Sequence, residues 1–198
     1  MKKLVLTFDD GPSPIYTGQL LDVLKEYKVK ATFFVVANNA IKSPELIRRM
    51  QLEGHCIALH SLAHRHAFLC SYRYLKHDFS HSLELLKGLN CRISFYRPPW
   101  GVRNLFTKKF VEMHHLHMVL WDIMTGDWKA KTTSLQIACQ LELKAFDGAV
   151  ICLHDGCGKY GAAKDAPRHT IDALQAVIPK LLKKGYEFVT VEEFYQHA

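Results

Sequence analysis

Two aspartates side by side, Asp9 and Asp10, end a short apolar run and are followed by Gly11-Pro12. Farther on, His60 and His64 stand four residues apart, a spacing that sets two imidazoles on one side of a helical turn, as a shared metal ion requires. Arg97-Pro98-Pro99-Trp100-Gly101, Asp127-Trp128 and Leu153-His154-Asp155-Gly156 complete the series. Singly, each has a plain structural reading. Asp-Asp-Gly-Pro suits a turn, a histidine pair is often surface or core, and Arg-Pro-Pro is a stiff extended connector. Together they hold every part that metal-assisted hydrolysis needs. Two neutral imidazoles and one carboxylate make a three-ligand site with an open position for water, which marks catalytic rather than structural zinc. A second carboxylate can take a proton from that water. A histidine from another strand can protonate the leaving group, and a partner aspartate can hold its tautomer and raise its pKa.

These residues converge only if the fold brings them together. Short runs rich in Val, Ile, Leu and Phe alternate with segments of helical period, the pattern of β/α units around a parallel sheet. The strands indicated are Lys3 to Phe8, Ala31 to Val36, Cys56 to Leu59, Ile93 to Tyr96, His117 to Trp121, Ala149 to Leu153 and Phe188 to Thr190. Core-facing spacing is clearest at Leu20, Leu21, Leu24, Tyr27 and at Ile171, Leu174, Ile178, Leu181. Ser43-Pro44 reads as a helix start, Gly54 and Gly185 as helix stops, Tyr72 to Leu89 as a long helix, and Thr133 or Ser134 as the cap of a helix ending near Leu143. Reactive residue types follow five of the seven strands. In a β/α barrel the C-terminal strand ends share one face, so sequence distance there becomes proximity. The expected fold is α/β, a single-domain distorted (β/α) barrel of seven or eight strands over residues 1–198.

In order and spacing, Thr7-Phe8-Asp9-Asp10-Gly11-Pro12, His60-Ser61-x-x-His64, Arg97-Pro98-Pro99-Trp100-Gly101, Asp127-Trp128 and Leu153-His154-Asp155-Gly156 resemble the five motifs of the polysaccharide deacetylases, the NodB-homology proteins of carbohydrate esterase family 4. The resemblance runs from about residue 3 to about residue 195. It implies hydrolysis of N-acetyl groups on sugars to free amines and acetate. It also implies Asp9 as general base, Asp10, His60 and His64 as metal ligands, Arg97 as the residue orienting Asp9, and the Trp100 backbone N–H as an oxyanion donor. His154 would be the general acid tuned by Asp127, with Trp128 and Leu153 as the wall beside the acetyl methyl. The metal implied is zinc, with cobalt or nickel also suited to a His2Asp set. The chain departs from the family pattern at Leu59 and Arg65, and over Arg65 to Cys70, which bears on the loop and groove rather than on the ligands.

The bulk composition excludes several other classes. With 48% hydrophobic and 23% charged residues among 198, and a mean hydropathy of -0.07, the chain is that of an ordinary globular protein. A net charge of +7 comes from scattered pairs such as Lys2-Lys3, Arg48-Arg49, Lys108-Lys109 and Lys183-Lys184, without the basic run of a nucleic-acid module. Cys56, Cys70, Cys91, Cys139, Cys152 and Cys157 form no C-x-x-C pair and read as free thiols, with Cys56, Cys139 and Cys152 in or beside apolar stretches, favouring a reducing compartment. The apolar run after Lys2-Lys3 is too short for a signal peptide, and no stretch approaches the roughly 18 apolar residues of a membrane span. The reading is a cytoplasmic protein, or an extracellular one whose leader has been removed. The expected partner is an N-acetylated saccharide; oligomeric state is not legible. Rival readings are an O-acetyl ester or small-amide hydrolase of the same chemistry, and a non-catalytic carbohydrate-binding member.

Overall fold

The strand Lys2–Asp9, β1, is buried from Leu4 onward, and its mixed Leu, Val, Thr and Phe run is what a strand covered on both faces requires. In the computed structural model, which describes residues 2–156 and 161–196, β1 pairs in parallel with three others. They are β2 (Thr32–Val35), β7 (Ala149–His154) and β8 (Tyr186–Val189). The sheet continues through β3 (Cys56–Leu59), β4 (Phe95–Tyr96) and β5 (His117–Met118), and on the other side of β7 to β6 (Ile123–Met124). The order is β5-β4-β3-β2-β1-β7-β6.

The sequence indicates seven strands and the described residues form eight: the run expected from His117 to Trp121 is a strand only over His117–Met118, and β6 lies beyond its expected end, at Ile123–Met124. The run expected from His117 to Trp121 pairs with β4 at its start, then turns, and β6 pairs with β7. Between them the Val119 N–H donates to the Tyr96 carbonyl at 3.0 Å and the Asp122 N–H to the Val150 carbonyl at 2.8 Å. The curl brings β4 and β7 to opposite sides of one stretch of chain, so neither keeps it for long. The carbonyls of Val119 and Leu120 instead accept from the Arg97 guanidinium, at 3.0 and 2.9 Å. A buried arginine thus satisfies backbone that no strand reaches.

Helices cover the outer face: α1 (Thr17–Glu26), α2 (Ala37–Ala40), α3 (Pro44–Leu52), α4 (Tyr72–Gly88), α5 (Leu105–Met113), α6 (Ser134–Lys144) and α7 (Ala166–Lys183), while Val191 and Phe194 of α8 (Val191–Tyr195) pack against the interior cluster. Leu20, Leu21 and Leu24 of α1 and Ile171, Leu174, Ile178 and Leu181 of α7 are buried as their spacing requires. Thr133 caps α6 in a capping box with Gln136. Ser43 stands at the α3 cap position, but its side chain makes no capping bond; Pro44 in the first turn marks that start. Gly54 and Gly185 follow α3 and α7 in the left-handed region that ends a helix.

Strand periodicity sorts the core into two layers. Leu4, Leu6, Phe8, Ile151 and Leu153 point outward under the helices, while Val5, Phe34, Ala58, Val119, Val150 and Val189 fill the interior. Toward the C-terminal ends the interior positions change character, from Val5 to Thr7 and Asp9 along β1, and from Val150 to Cys152 and His154 along β7. Cys56, Cys70, Cys91, Cys139 and Cys152 are free thiols, and Cys139, expected in an apolar setting, is exposed. Cys157 lies outside the described residues.

Candidate active site

Asp9 ends β1 with its side chain inside the curl, and Asp10 enters the left-handed region at φ 76°. Ser61, His64 and Trp100 share that conformation, at φ 71°, 52° and 55°. Such non-glycine residues cost roughly 1–3 kcal/mol each and persist where surrounding bonds overdetermine them. Those bonds are present. The Asn39 amide donates to the Asp10 carbonyl at 2.9 Å, and the Ala37 and Asn38 N–H groups donate to the carbonyls of Ser61 and Leu62. The His64 N–H donates to Ser61 Oγ at 2.8 Å, and the Leu62 N–H to buried Asp78 at 3.1 Å. The short helix α2 therefore clamps both loops that carry prospective metal ligands.

Asp10, His60 and His64 are all buried, with ligand atoms within 4.8 Å of one another. The Nε2 atoms of His60 and His64 lie 3.4 and 2.9 Å from Asp10 Oδ1, yet that oxygen receives no well-directed hydrogen bond among the described residues. His60 Nδ1 meets the Arg97 carbonyl at 2.8 Å, and a carbonyl only accepts, so the proton sits on Nδ1 and the Nε2 lone pair faces a carboxylate. Two acceptors so placed fit a cation between them, with the outer nitrogen held in the manner usual for metal-bound histidine. Burial opposes ionisation of Asp10, but hydrogen bonds and positive charge from the two imidazoles, where a proton takes the place of the cation between them, outweigh it and hold its pKa far below the usual range. Burial also pushes the His64 pKa down, only partly offset by Asp10, which favours the neutral form a metal needs.

Arg97, fully buried, donates through Nη1 to Asp9 Oδ1 and to Thr7 Oγ1, both at 2.7 Å. This leaves Asp9 Oδ2 turned to the cavity, 3.9 Å from His60 Nε2. On the neighbouring strand β7, the His154 backbone N–H donates to Asp127 Oδ2 at 2.8 Å, and the ring Nδ1 faces Oδ1 at 3.0 Å. Thr170 Oγ1 donates to the same carboxylate at 3.0 Å. Burial would lower the His154 pKa, but Asp127 chiefly, then Asp10 and Asp9, raise it to about 9. Two groups of opposed character, an arginine-held carboxylate and a protonated imidazole, thus face one space. Asp155 lies behind Asp10, where burial pushes its pKa to about 7 despite a hydrogen bond from Thr17.

That space is a cavity of about 320 Å³ lined by Asp9, Asp10, His60, His64, Trp100, Trp128 and His154, with Arg97 and Asp127 behind. Leu153, named with them from the resemblance, is not there: it lies in the outer core, because on a strand it alternates with Cys152 and His154. The apolar lining comes from Trp121, Met124 and Cys152. Alternation from His154 points to Cys152, whereas nothing local in the sequence marks Trp121 and Met124. At the rim, His64, Trp100, His66 and Phe68 form a run of ring contacts with centroids 4.2, 5.4 and 5.5 Å apart. His66, within the Arg65 to Cys70 stretch that departs from the family pattern, is thus part of the site's edge. Leu59 is buried in the outer core and the Arg65 guanidinium lies 4.9 Å over the Tyr74 ring, so both departures serve packing.

The sequence profile of the polysaccharide deacetylases matches residues 1–119. This chain belongs to the polysaccharide deacetylase family. It is 34% identical to a peptidoglycan-N-acetylglucosamine deacetylase of Bacillus cereus over 99% of its own length and 90% of that protein. The peptidoglycan-N-acetylglucosamine deacetylase PgdA of Listeria monocytogenes is 33% identical over 98% of the chain, which spans only 39% of that protein. The structure of a family 4 acetyl xylan esterase from Clostridium thermocellum, in complex with a cobalt ion, superposes with a TM-score of 0.88. It is 32% identical, covering 98% of this chain and 91% of that one.

Proposed function

We propose that this chain hydrolyses the acetamido group of N-acetylated amino sugars, using one divalent cation, zinc by preference, held by Asp10, His60 and His64. The observation carrying the reading is the division of labour between adjacent carboxylates: Asp10 faces two imidazoles, while Asp9 is held by Arg97 beside the Asp127–His154 pair. When bound, the cation would supply an acidified water and polarise the scissile carbonyl. Asp9 accepts the water's proton on Oδ2, since Oδ1 is committed to Arg97. Arg97 is a positioning residue for that base. His154 delivers a proton from Nε2 to the departing amine, because Asp127 holds Nδ1. The Trp100 backbone N–H is the proposed donor to the developing oxyanion. Trp128, 5.2 Å from the His154 ring, forms with Trp121, Met124 and Cys152 the wall against which the acetyl methyl packs.

The names of the B. cereus and L. monocytogenes relatives favour a glucosamine polymer or oligomer. The rim run of Trp100, His66 and Phe68, with Trp100 47% and Phe68 75% exposed, suits the apolar faces of successive sugar rings. A second reading, hydrolysis of O-acetyl esters, draws on the likeness to the acetyl xylan esterase. The two separate by acetate release measured in parallel on N-acetylglucosamine oligomers and acetylated xylan. The first reading expects kcat/KM to favour the amide and to rise with the number of sugar units; release from xylan alone would replace it with the second.

A further inference from the structure

We propose that the cavity holds a second metal site, Asp9–Cys152–His154, which takes a soft divalent cation such as cadmium or zinc in excess and blocks hydrolysis when filled. The proposal rests on the reading of Asp9 and His154 as base and acid. Its starting observation is a buried thiol whose ligand and acid-base chemistry hydrolysis does not use, Cys152 serving there only as part of the wall beside the acetyl methyl. Asp9 and His154 are direct partners across β1 and β7, and Cys152 precedes His154 by one full strand repeat. All three side chains therefore enter the cavity together. Their ligand atoms lie within 4.8 Å of one another, with Cys152 Sγ 3.5 Å from Asp9 Oδ2.

Two of the three donors are already oriented by their other ends. Arg97 holds Asp9 Oδ1, which leaves Oδ2; Asp127 holds His154 Nδ1, which leaves Nε2. A carboxylate behind a ligating imidazole is the usual support of a bound metal. Zn–N and Zn–S bonds of about 2.0 and 2.3 Å place donors in a tetrahedral shell roughly 3.3–3.8 Å apart, so closing the trio takes about 1 Å of side-chain movement. A mixed S, N and O set selects zinc or cadmium over magnesium or calcium, which take oxygen ligands.

The same chemistry ranks this site below the first. Burial, then Asp9, pushes the Cys152 thiol pKa well up, and Asp127 keeps His154 protonated, so binding must release two protons to solvent, one from Sγ and one from Nε2. A cation on Asp10, His60 and His64 adds repulsion. The second ion therefore enters only at higher concentration, and once there it occupies Asp9 Oδ2 and His154 Nε2, the two atoms through which protons would move.

The test uses the full chain loaded with one equivalent of zinc and titrated with cadmium or further zinc. Bound cadmium should develop the ultraviolet charge-transfer absorption of a thiolate ligand, equilibrium dialysis should find a second equivalent, and acetate release should fall in step. Cys152→Ala, and Cys152→Ser as the closer isostere, should keep the first equivalent, lack the absorption, and need at least tenfold more zinc for the same inhibition. No thiolate absorption at cadmium saturation, or identical zinc inhibition in wild type and both variants, overturns the proposal. Absorption and stoichiometry are independent of turnover, so a protein that takes up the second ion yet releases no acetate even with one equivalent of zinc refutes the functional reading and leaves the metal site itself standing.

Discussion

Replacing Asp127 with Asn tests the acid half of the mechanism through its pH dependence. In the structure Asp127 is the foremost group raising the His154 pKa to about 9, against a burial effect of opposite sign. Without that charge the imidazole returns to its ordinary 6.5 or below. A general acid works only while protonated, so the alkaline limb of kcat/KM should move down by about 2.5 units, the difference between those values. At pH 8 the protonated fraction would fall from about 0.9 to about 0.03, a loss of about 30-fold; at pH 6 it would change less than about 1.5-fold. About 30-fold is an upper bound. A cation on Asp10 offsets the contributions of Asp10 and Asp9, so the limb of the loaded enzyme starts below 9. The assay is acetate release from an N-acetylglucosamine oligomer between pH 5 and 10, with metal content checked in both proteins. An equal loss at every pH, with the limb unmoved, would refute the assignment: Asp127 would then only hold the ring.

Other perturbations read other parts of the site. Arg97→Met leaves Asp9 buried without its ion pair, which costs about 3–5 kcal/mol and should lower the melting temperature by roughly 10 °C in a protein of this size. An unchanged melting temperature would show that the pair carries no structural weight. Gly156→Ala would put a Cβ 2.4 Å from Asp10 Cβ and 2.8 Å from its backbone. The ligand must shift, and zinc affinity measured by competition with a chelator should drop at least tenfold; wild-type affinity would count against Asp10 as a ligand. In the metal-free protein His154 has a folded-state pKa of about 9 against 6.5 unfolded, so its stabilisation is full below pH 6.5 and is lost as pH rises through 9. Urea unfolding should show the advantage of wild type over His154→Gln shrinking by about 3 kcal/mol between pH 6 and 9.5; a constant difference would contradict the raised pKa.

Much of this arrangement was legible because strand ends obey local rules. Asp9, Asp10, His60, His64 and His154 sit where apolar runs stop, and a parallel barrel gathers such ends on one face. What stayed hidden depends on the curl of the sheet. The shortness of β5 and the presence of β6, which the sequence does not indicate, follow from β4 and β7 approaching the same chain from two sides, and no residue between His117 and Met124 announces it. Trp121 and Met124 enter the cavity through that same turn. Leu153 shows the limit of carrying a role over by motif: its neighbours in the motif face the site, and strand alternation turns it away. The family profile reaches only residue 119, before Asp127 and His154, so the acid half of the site rests on the bonds at Asp127.

The most direct test of the central claim is acetate release from N-acetylglucosamine oligomers by protein stripped of metal and then given zinc or cobalt. The account predicts no release from the stripped protein and recovery with one equivalent of metal, absent in Asp10→Ala and His64→Ala, which should also bind no metal. Full release from the stripped protein, or none from a protein that demonstrably holds its metal, would contradict it.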